Sequence, residues 1–220
     1  MPRGKPPRDC PSPDGPKVER LLAGTVVWRI HDQGRGPTDF RSTGSEQKRL
    51  DPLTHGNEGR FDCQHGEYAY LYLAETQQAA FAEAFLRDDV VSDPSARFVR
   101  RDKLMRASLS RIELTDDLEV VDLRGAAGLT RVGQDSWLTS SEEVDFPLTQ
   151  LWARSIRRWA PDAYGLCWMA KRDNNHFSAM LFNDHDPAAR MRGRVHRRLS
   201  EPRSIAYATS MLARLNVKVT

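Results

Sequence analysis

Two arginines, a row of tyrosines and one glutamate stand in short apolar segments, where charged side chains are uncommon. Arg29 lies in the β-branched segment TVVWRI (25–30), and Glu83 lies among the alanines and other apolar residues of 79–86. A charged group in apolar surroundings is destabilising unless it is paired or hydrogen-bonded. These positions are therefore the first candidates for binding or chemistry.

The two arginines have the geometry that binds phosphate or carboxylate groups. A guanidinium forms paired hydrogen bonds with such anions. Arg29 would present one from a strand, and Arg60, directly after Gly59 in the segment GRFD, would present a second. Each also has a simpler interpretation. Arg29 would be an edge-strand residue whose head reaches water, and Arg60 a surface loop residue.

The tyrosines and the glutamate follow along the chain. Tyr68, Tyr70 and Tyr72 alternate in YAYLYLA, so on a strand they share one face. Such a row either packs half-buried with wet hydroxyls or stacks a flat aromatic ligand. Glu83 lies four residues before Arg87, so a surface ion pair on a helix is the alternative to a carboxylate in a pocket.

Short strands and helices in mixed order must position these residues. Thr76 predicts the N-cap of a helix, and Pro161 predicts the end of another. Because strands and helices do not alternate strictly, we expect an α+β domain. We expect strands at 25–30, 68–74, 118–123, 165–170 and 178–182, a polar turn at 171–175, and helices at 77 to about 88, 147–161 and about 204–215.

Length and composition indicate one domain. Residues 1–20 contain six prolines and almost no apolar side chains, so we expect a disordered tail before a single domain at 21–220. With 33 basic and 30 acidic residues, the charge balance does not require nucleic acid as a partner. The chain has no apolar run of membrane-span length, no apolar signal core and only three scattered cysteines. A reduced, cytoplasmic protein that does not bind membranes is expected.

Two further groups of residues have weaker signals. Cys63 and His65 resemble half of a zinc site, but no second pair follows at ligand spacing, so we expect no metal. The basic run RMRGRVHRR (190–198) predicts a solvated face or a contact with an acidic partner.

The order of the segments VVWRI, GRFD, YLYLAETQQAAFAE, YGLCWMAKRD and SAMLF resembles the RES-domain family of bacterial toxins, over about residues 25–185. The resemblance implies an enzyme that destroys NAD by phosphorolysis or hydrolysis and is paired with an antitoxin. It also implies a fold like that of ADP-ribosyltransferases, with a mixed, mostly antiparallel sheet flanked by helices. A homodimer is left open.

The resemblance also implies roles for particular residues. Glu83 and Arg29 match the catalytic residues of the family, and Arg29, Arg60 and Tyr72 match residues that bind NAD. Ala170 stands at the binding position where the family has a serine. Ser178 lies too far along the chain to be the same residue.

These roles agree with the chemistry of NAD. The arginines would neutralise the pyrophosphate, and Tyr72 would stack on the nicotinamide ring. Cleavage of the nicotinamide–ribose bond develops oxocarbenium character, which the Glu83 carboxylate would stabilise without a metal. Two alternatives remain open: a protein ADP-ribosyltransferase that uses the same pocket, and, because of Ala170, a module that binds NAD or a partner without turnover.

Overall fold

A computed structural model of the chain describes residues 4–42, 59–63, 66–86 and 97–220. Its strands are β1 (Val18–Leu21), β2 (Val26–Asp32), β3 (Arg41–Ser42), β4 (Ala69–Ala74), β5 (Arg97–Val99), β6 (Ala107–Leu114), β7 (Leu118–Asp122), β8 (Gly165–Ala170), β9 (Asp173–Phe182), β10 (Met191–Arg198) and β11 (Val217–Val219). Its α-helices are α1 (Gln77–Phe85), α2 (Arg101–Met105), α3 (Ala126–Arg131), α4 (Trp137–Ser140), α5 (Phe146–Trp159) and α6 (Pro202–Ala213). Short 3-10 turns occupy Glu143–Asp145 and Pro187–Arg190.

Within the described ranges, nine strands form one sheet and two form a small second one. The large sheet has the order β1-β7-β8-β9-β4-β2-β6-β10, with β3 on β4. Only β7 and β8 run parallel in it, and β5 pairs with β11 in parallel. The expected α+β fold, with a mostly antiparallel sheet flanked by helices, is confirmed.

The two faces of the central strands are covered by different apolar clusters. On one face Tyr70 and Phe182 pack with Trp152 and Ile156 of α5. On the other face Leu71 packs in a separate cluster with its neighbours on β2, β6, β7 and β9. Helix α5 has the apolar spacing that the sequence predicts, and it ends two residues before Pro161 because proline cannot continue a helix.

A gap in the sheet separates β2 from β4. Strand β2 pairs with β6 over seven residues, but it pairs with β4 only between Trp28 and Ala74. Because the two strands are paired at only one position, they diverge over the rest of their length. Helix α1 follows β4 at this point. Its predicted N-cap is confirmed, since Thr76 Oγ1 accepts a hydrogen bond from the Ala79 amide at 3.1 Å.

The N-terminal segment differs from the disordered tail that its composition predicts. The Trp152 indole donates to the Gly4 carbonyl oxygen at 2.9 Å, and the Trp159 indole donates to that of Arg8 at 3.1 Å. Lys17 forms an ion pair with Asp122 at 2.8 Å. The segment therefore lies on α5 and leads into β1, and its backbone carbonyl oxygens supply acceptors for the two indole groups.

Several other elements differ from the sequence prediction. The turn between β8 and β9 contains only Lys171 and Arg172, because Asp173 already pairs with Ala170. The basic run at 190–198 contains the whole of edge strand β10, and most of its side chains are exposed, in agreement with the predicted solvated face. Strand β6 has no counterpart in the sequence prediction. None of the helices in the described residues combines the length and apolar character needed to cross a membrane.

Candidate active site

A cavity of about 160 Å³ lies where β2 and β4 diverge, beside α1. Its size is close to that of an engineered cavity of about 150 Å³ that binds one benzene ring. Arg29 of β2, Arg60 of the loop before β4, Tyr72 of β4 and Glu83 of α1 all line it. The structure therefore brings together four predicted site residues from four separate segments of the chain.

Arg29 is buried in the interior of the sheet. Its side chain is 7% exposed, and β2 lies between β4 and β6. Nη1 donates to the carbonyl oxygens of Pro37 at 2.8 Å and Gly36 at 3.5 Å. The interpretation of an edge-strand arginine with its head in water is therefore wrong, and the segment after β2 holds the guanidinium in place at the cavity.

Arg60 is also buried rather than part of a surface loop. It is 3% exposed, and it donates to Ser141 from Nε to Oγ at 3.2 Å and from Nη2 to the carbonyl oxygen at 3.4 Å. The guanidinium carbon lies 5.7 Å from the centre of the Phe146 ring, a distance at which a cation is attracted to the ring face. These contacts hold the Arg60 head in one orientation.

Helix α5 anchors the backbone that carries Arg60. Thr149 Oγ1 donates to the Arg60 carbonyl oxygen at 2.6 Å, and Gln150 Nε2 donates to that of Gly59 at 2.9 Å. A Cβ atom at position 59 would lie 2.2 Å from Asp62 Oδ1 and 2.7 Å from Tyr72 Oη. Glycine is therefore required there, because any larger residue would displace both side chains.

Asp62 joins this loop to the tyrosines. It is 2% exposed and accepts hydrogen bonds from Tyr70 Oη at 2.6 Å and Tyr72 Oη at 2.9 Å. Burial, together with the nearby Asp62 charge, raises the pKa of Tyr70 far above its usual range, so the phenol stays protonated and donates. Asp62 lies within the GRFD segment, but its residue type alone predicts no role for it. The signal that could have indicated its role is the position of an acidic residue shortly before two alternating tyrosines, whose hydroxyls need acceptors.

The Tyr72 ring is half-buried and forms part of the cavity wall. Edge-to-face contacts hold it against Trp168, with ring centres 6.1 Å apart, and against Tyr70, with centres 5.7 Å apart. Its hydroxyl also accepts a hydrogen bond from the Phe61 amide at 3.2 Å. The ring is thus held from two sides and by its hydroxyl, as a surface for an aromatic ligand requires.

Glu83 places a carboxylate at the cavity. Its side chain is half-buried, and Oε1 accepts a hydrogen bond from the Lys171 amide at 2.9 Å. The Lys171 ammonium pairs instead with Glu142 at 2.7 Å. The alternative partner of Glu83, Arg87, lies outside the described residues. Among the residues described, Glu83 is therefore oriented by a backbone amide rather than by an ion pair.

Ala170 lies behind the cavity rather than in its wall. It is fully buried and packs in a small alanine cluster with Ala74, Ala79 and Ala80, beneath α1. Of the five predicted site residues, it is the one that does not line the cavity.

The cavity wall has more positive than negative side chains. Among the described residues these are the cations Arg29, Arg35, Arg41, Arg60 and Lys103 and the carboxylates Asp32, Asp62 and Glu83. His31 adds no charge at neutral pH, because burial and the neighbouring Arg29 lower its pKa to about 4. This excess of positive charge favours an anionic ligand.

The predicted half of a zinc site has another arrangement. The Cys63 thiol donates to Glu67 Oε2 at 3.0 Å, and His65 lies outside the described residues. Within the part of the chain that the structure describes, no three His, Cys, Asp or Glu side chains cluster in a way that could hold a metal ion.

Comparison with known proteins identifies the family. The chain matches no curated protein. It shares 16% identity and a TM-score of 0.54 with a chain of the crystal structure of the M. tuberculosis MbcT-MbcA toxin-antitoxin complex, over 88% of this chain and 92% of that one. At this identity the likeness shows a common fold. The family model of the RES domain matches residues 26–201. Since that match spans most of its length, the chain belongs to the RES domain family.

Proposed function

We propose that this protein is an enzyme that cleaves the nicotinamide–ribose bond of NAD, with phosphate or water as the acceptor. The observation that supports this best is the meeting of Arg29, Arg60, Tyr72 and Glu83 around one cavity. Membership of the RES domain family adds support, as does the fold shared with a chain of a toxin–antitoxin complex. We further propose that it acts in the cytoplasm as the toxin of such a pair.

The cavity would bind NAD in two parts. A volume of about 160 Å³ accommodates one aromatic ring, so nicotinamide would enter it beside Tyr72. The remainder of the dinucleotide would extend outwards. Its pyrophosphate would then lie against Arg29 and Arg60, whose guanidiniums suit the paired oxygens of a phosphate.

The reaction breaks the bond from ribose C1′ to the pyridinium nitrogen. Its electron pair leaves with nicotinamide, which becomes neutral, and the ribose gains oxocarbenium character. A phosphate or water oxygen then bonds to C1′, and in the case of water a proton is released. Glu83 would stabilise the positive ribose, an electrostatic effect of about 10²–10³ in rate. The Lys171 amide orients one carboxylate oxygen, which leaves the other for a ribose hydroxyl.

The decisive experiment is incubation with NAD, with and without phosphate, followed by mass analysis. Phosphorolysis gives nicotinamide and ADP-ribose phosphate, whereas hydrolysis gives nicotinamide and ADP-ribose. The matched control is Glu83→Gln, which keeps the shape of the side chain but removes its charge. NAD that stays intact with folded parent protein under both conditions would refute the proposed activity.

Two further readouts separate the alternatives. A protein ADP-ribosyltransferase would transfer label from radioactive NAD to an acceptor protein, which an NAD phosphorylase or hydrolase would not do. A module without turnover would bind NAD in calorimetry and leave it intact. Ala170 motivates this second candidate because it contributes no hydroxyl, but it does not line the cavity, so the geometry supports turnover better.

The toxin role has its own test in cells. Induced expression of the parent in bacteria should deplete NAD and stop growth, whereas Glu83→Gln at an equal protein level should do neither. Co-expression of a cognate antitoxin should restore growth by binding the parent. Normal growth and normal NAD with active parent enzyme present would contradict this role.

A further inference from the structure

Two buried polar atoms of neutral side chains in the cavity wall have no hydrogen-bond partner among the described residues. They are the indole nitrogen of Trp168, which is 1% exposed, and the hydroxyl oxygen of Ser178, which is 2% exposed. Most buried polar groups in proteins have a partner, so an unpaired one requires an explanation. Both residues line the cavity, where a bound ligand would supply the missing partner.

The two residues lie directly opposite each other on adjacent strands. Trp168 of β8 and Ser178 of β9 are register partners in an antiparallel pair. The side chains of such partners project from the same face, with Cβ atoms about 4.5–5.5 Å apart. A single small functional group can therefore contact both side chains at once.

The chemistry of the pair selects a neutral group with both an acceptor and a donor. An indole N–H only donates, whereas a hydroxyl both donates and accepts. The surrounding cluster is apolar, with Phe61, Met180 and Phe182 close by, and burying a charge there is less favourable than burying a neutral polar group. A primary carboxamide meets these requirements, because its oxygen accepts and its nitrogen donates.

We propose that Trp168 and Ser178 form the subsite for the carboxamide of the nicotinamide ring. The indole N–H donates to the carboxamide oxygen, and the Ser178 hydroxyl accepts from the carboxamide nitrogen. This inference rests on the proposed cleavage of NAD. The subsite would make that cleavage selective for dinucleotides whose pyridine ring carries an amide. The hydroxyl comes from β9, whereas Ala170 of β8 offers none.

The experiment compares NAD with 3-acetylpyridine adenine dinucleotide, which keeps the carbonyl but has a methyl group in place of the amide nitrogen. For each substrate, kcat/KM is measured for the parent, Ser178→Ala and Trp168→Phe. Ser178→Ala should lower the value about tenfold for NAD and leave that for the analogue unchanged. Trp168→Phe should lower both, because both substrates keep the carbonyl group.

Two controls exclude a merely structural effect. Ser204 is equally buried, at 2% exposure, but it lies on α6 and does not line the cavity. Ser204→Ala should therefore leave kcat/KM unchanged for both substrates. The Tm of Ser178→Ala should not fall, because its hydroxyl has no partner within the described chain to lose. An equal loss for both dinucleotides, or no loss for NAD, would overturn the subsite.

Failure of the subsite can be distinguished from failure of the proposed function. If the parent cleaves NAD but Ser178→Ala does not discriminate between the substrates, only the subsite is refuted. If the parent leaves NAD intact, the activity is refuted, and calorimetry with free nicotinamide tests the subsite alone. Absent binding, or equal affinities for parent and Ser178→Ala, would then overturn it as well.

Discussion

Replacing Asp62 by asparagine should destabilise the protein, because the carboxylate accepts hydrogen bonds from two tyrosine hydroxyls. An asparagine has one acceptor and one donor end, so one tyrosine hydroxyl would lose its acceptor. The Tyr72 hydroxyl oxygen already accepts a hydrogen bond from the Phe61 amide, so the hydroxyl must donate its own hydrogen to the side-chain oxygen at position 62. Tyr70 would then face the amide nitrogen and leave its own proton unpaired.

The size of this effect follows from the burial of both partners. Asp62 and Tyr70 are each 2% exposed, so water cannot replace a lost hydrogen bond. A buried donor without an acceptor costs about 1–3 kcal/mol. For a chain of this length, a loss of about 2 kcal/mol lowers Tm by roughly 4–8 °C.

Thermal melting of Asp62→Asn, Tyr70→Phe and the double variant measures this coupling. Tyr70→Phe removes the hydroxyl that the asparagine leaves unpaired, so it should destabilise the parent but restore part of the loss in Asp62→Asn. The KM for NAD should also rise in Asp62→Asn, because the Tyr72 ring is held through its hydroxyl. The reasoning would be refuted if Asp62→Asn had the Tm of the parent. It would also be refuted if the loss of Tm in the double variant equalled the sum of the losses in the two single variants.

Further changes test other parts of the site. Arg29→Ala and Arg60→Ala should each weaken NAD binding in calorimetry by roughly 2–5 kcal/mol, and unchanged affinities would contradict the phosphate-binding role. Since burial lowers the pKa of His31 to about 4, from about 6.5 when unfolded, the unfolded state binds more protons between these values. Stability should therefore fall by about 3 kcal/mol as pH drops from 7 to 4, and His31→Asn should flatten this slope in melting curves. Deleting residues 1–9 removes the acceptors for Trp152 and Trp159 and should lower Tm, whereas an unchanged Tm would show that these contacts contribute nothing.

Local signals in the sequence were sufficient to predict the helix that carries Glu83 and the strand that carries Tyr72. The threonine N-cap, the alternating tyrosines and the proline after α5 each act over a few residues, so a short window of sequence contains them. In each case the physical cause lies within one turn of helix or a few strand positions. The apolar neighbours of Arg29 left burial and an edge-strand position both open, and the placement of β2 between β4 and β6 decides between them.

The contacts that the sequence analysis missed are made across strands and between distant segments. Ser178 was set aside because it lies eight positions after Ala170 in the chain, yet the hairpin places it opposite Trp168. The N-terminal segment has a composition typical of disorder, but its contacts with α5 involve backbone carbonyls that composition does not encode. Strand pairing and backbone acceptors depend on the whole fold rather than on local pattern.

The long-range contacts of the cavity also determine when it can form during synthesis. All four charged or aromatic residues of the proposed mechanism precede position 84, but Arg60 needs Ser141, Glu83 needs Lys171, and β9 must lie between β8 and β4. At about 5–20 residues per second, the ribosome takes roughly 5–20 seconds to make the intervening hundred or so residues. A nascent chain, or one terminated before Phe182, therefore carries the side chains of the proposed mechanism without an assembled site.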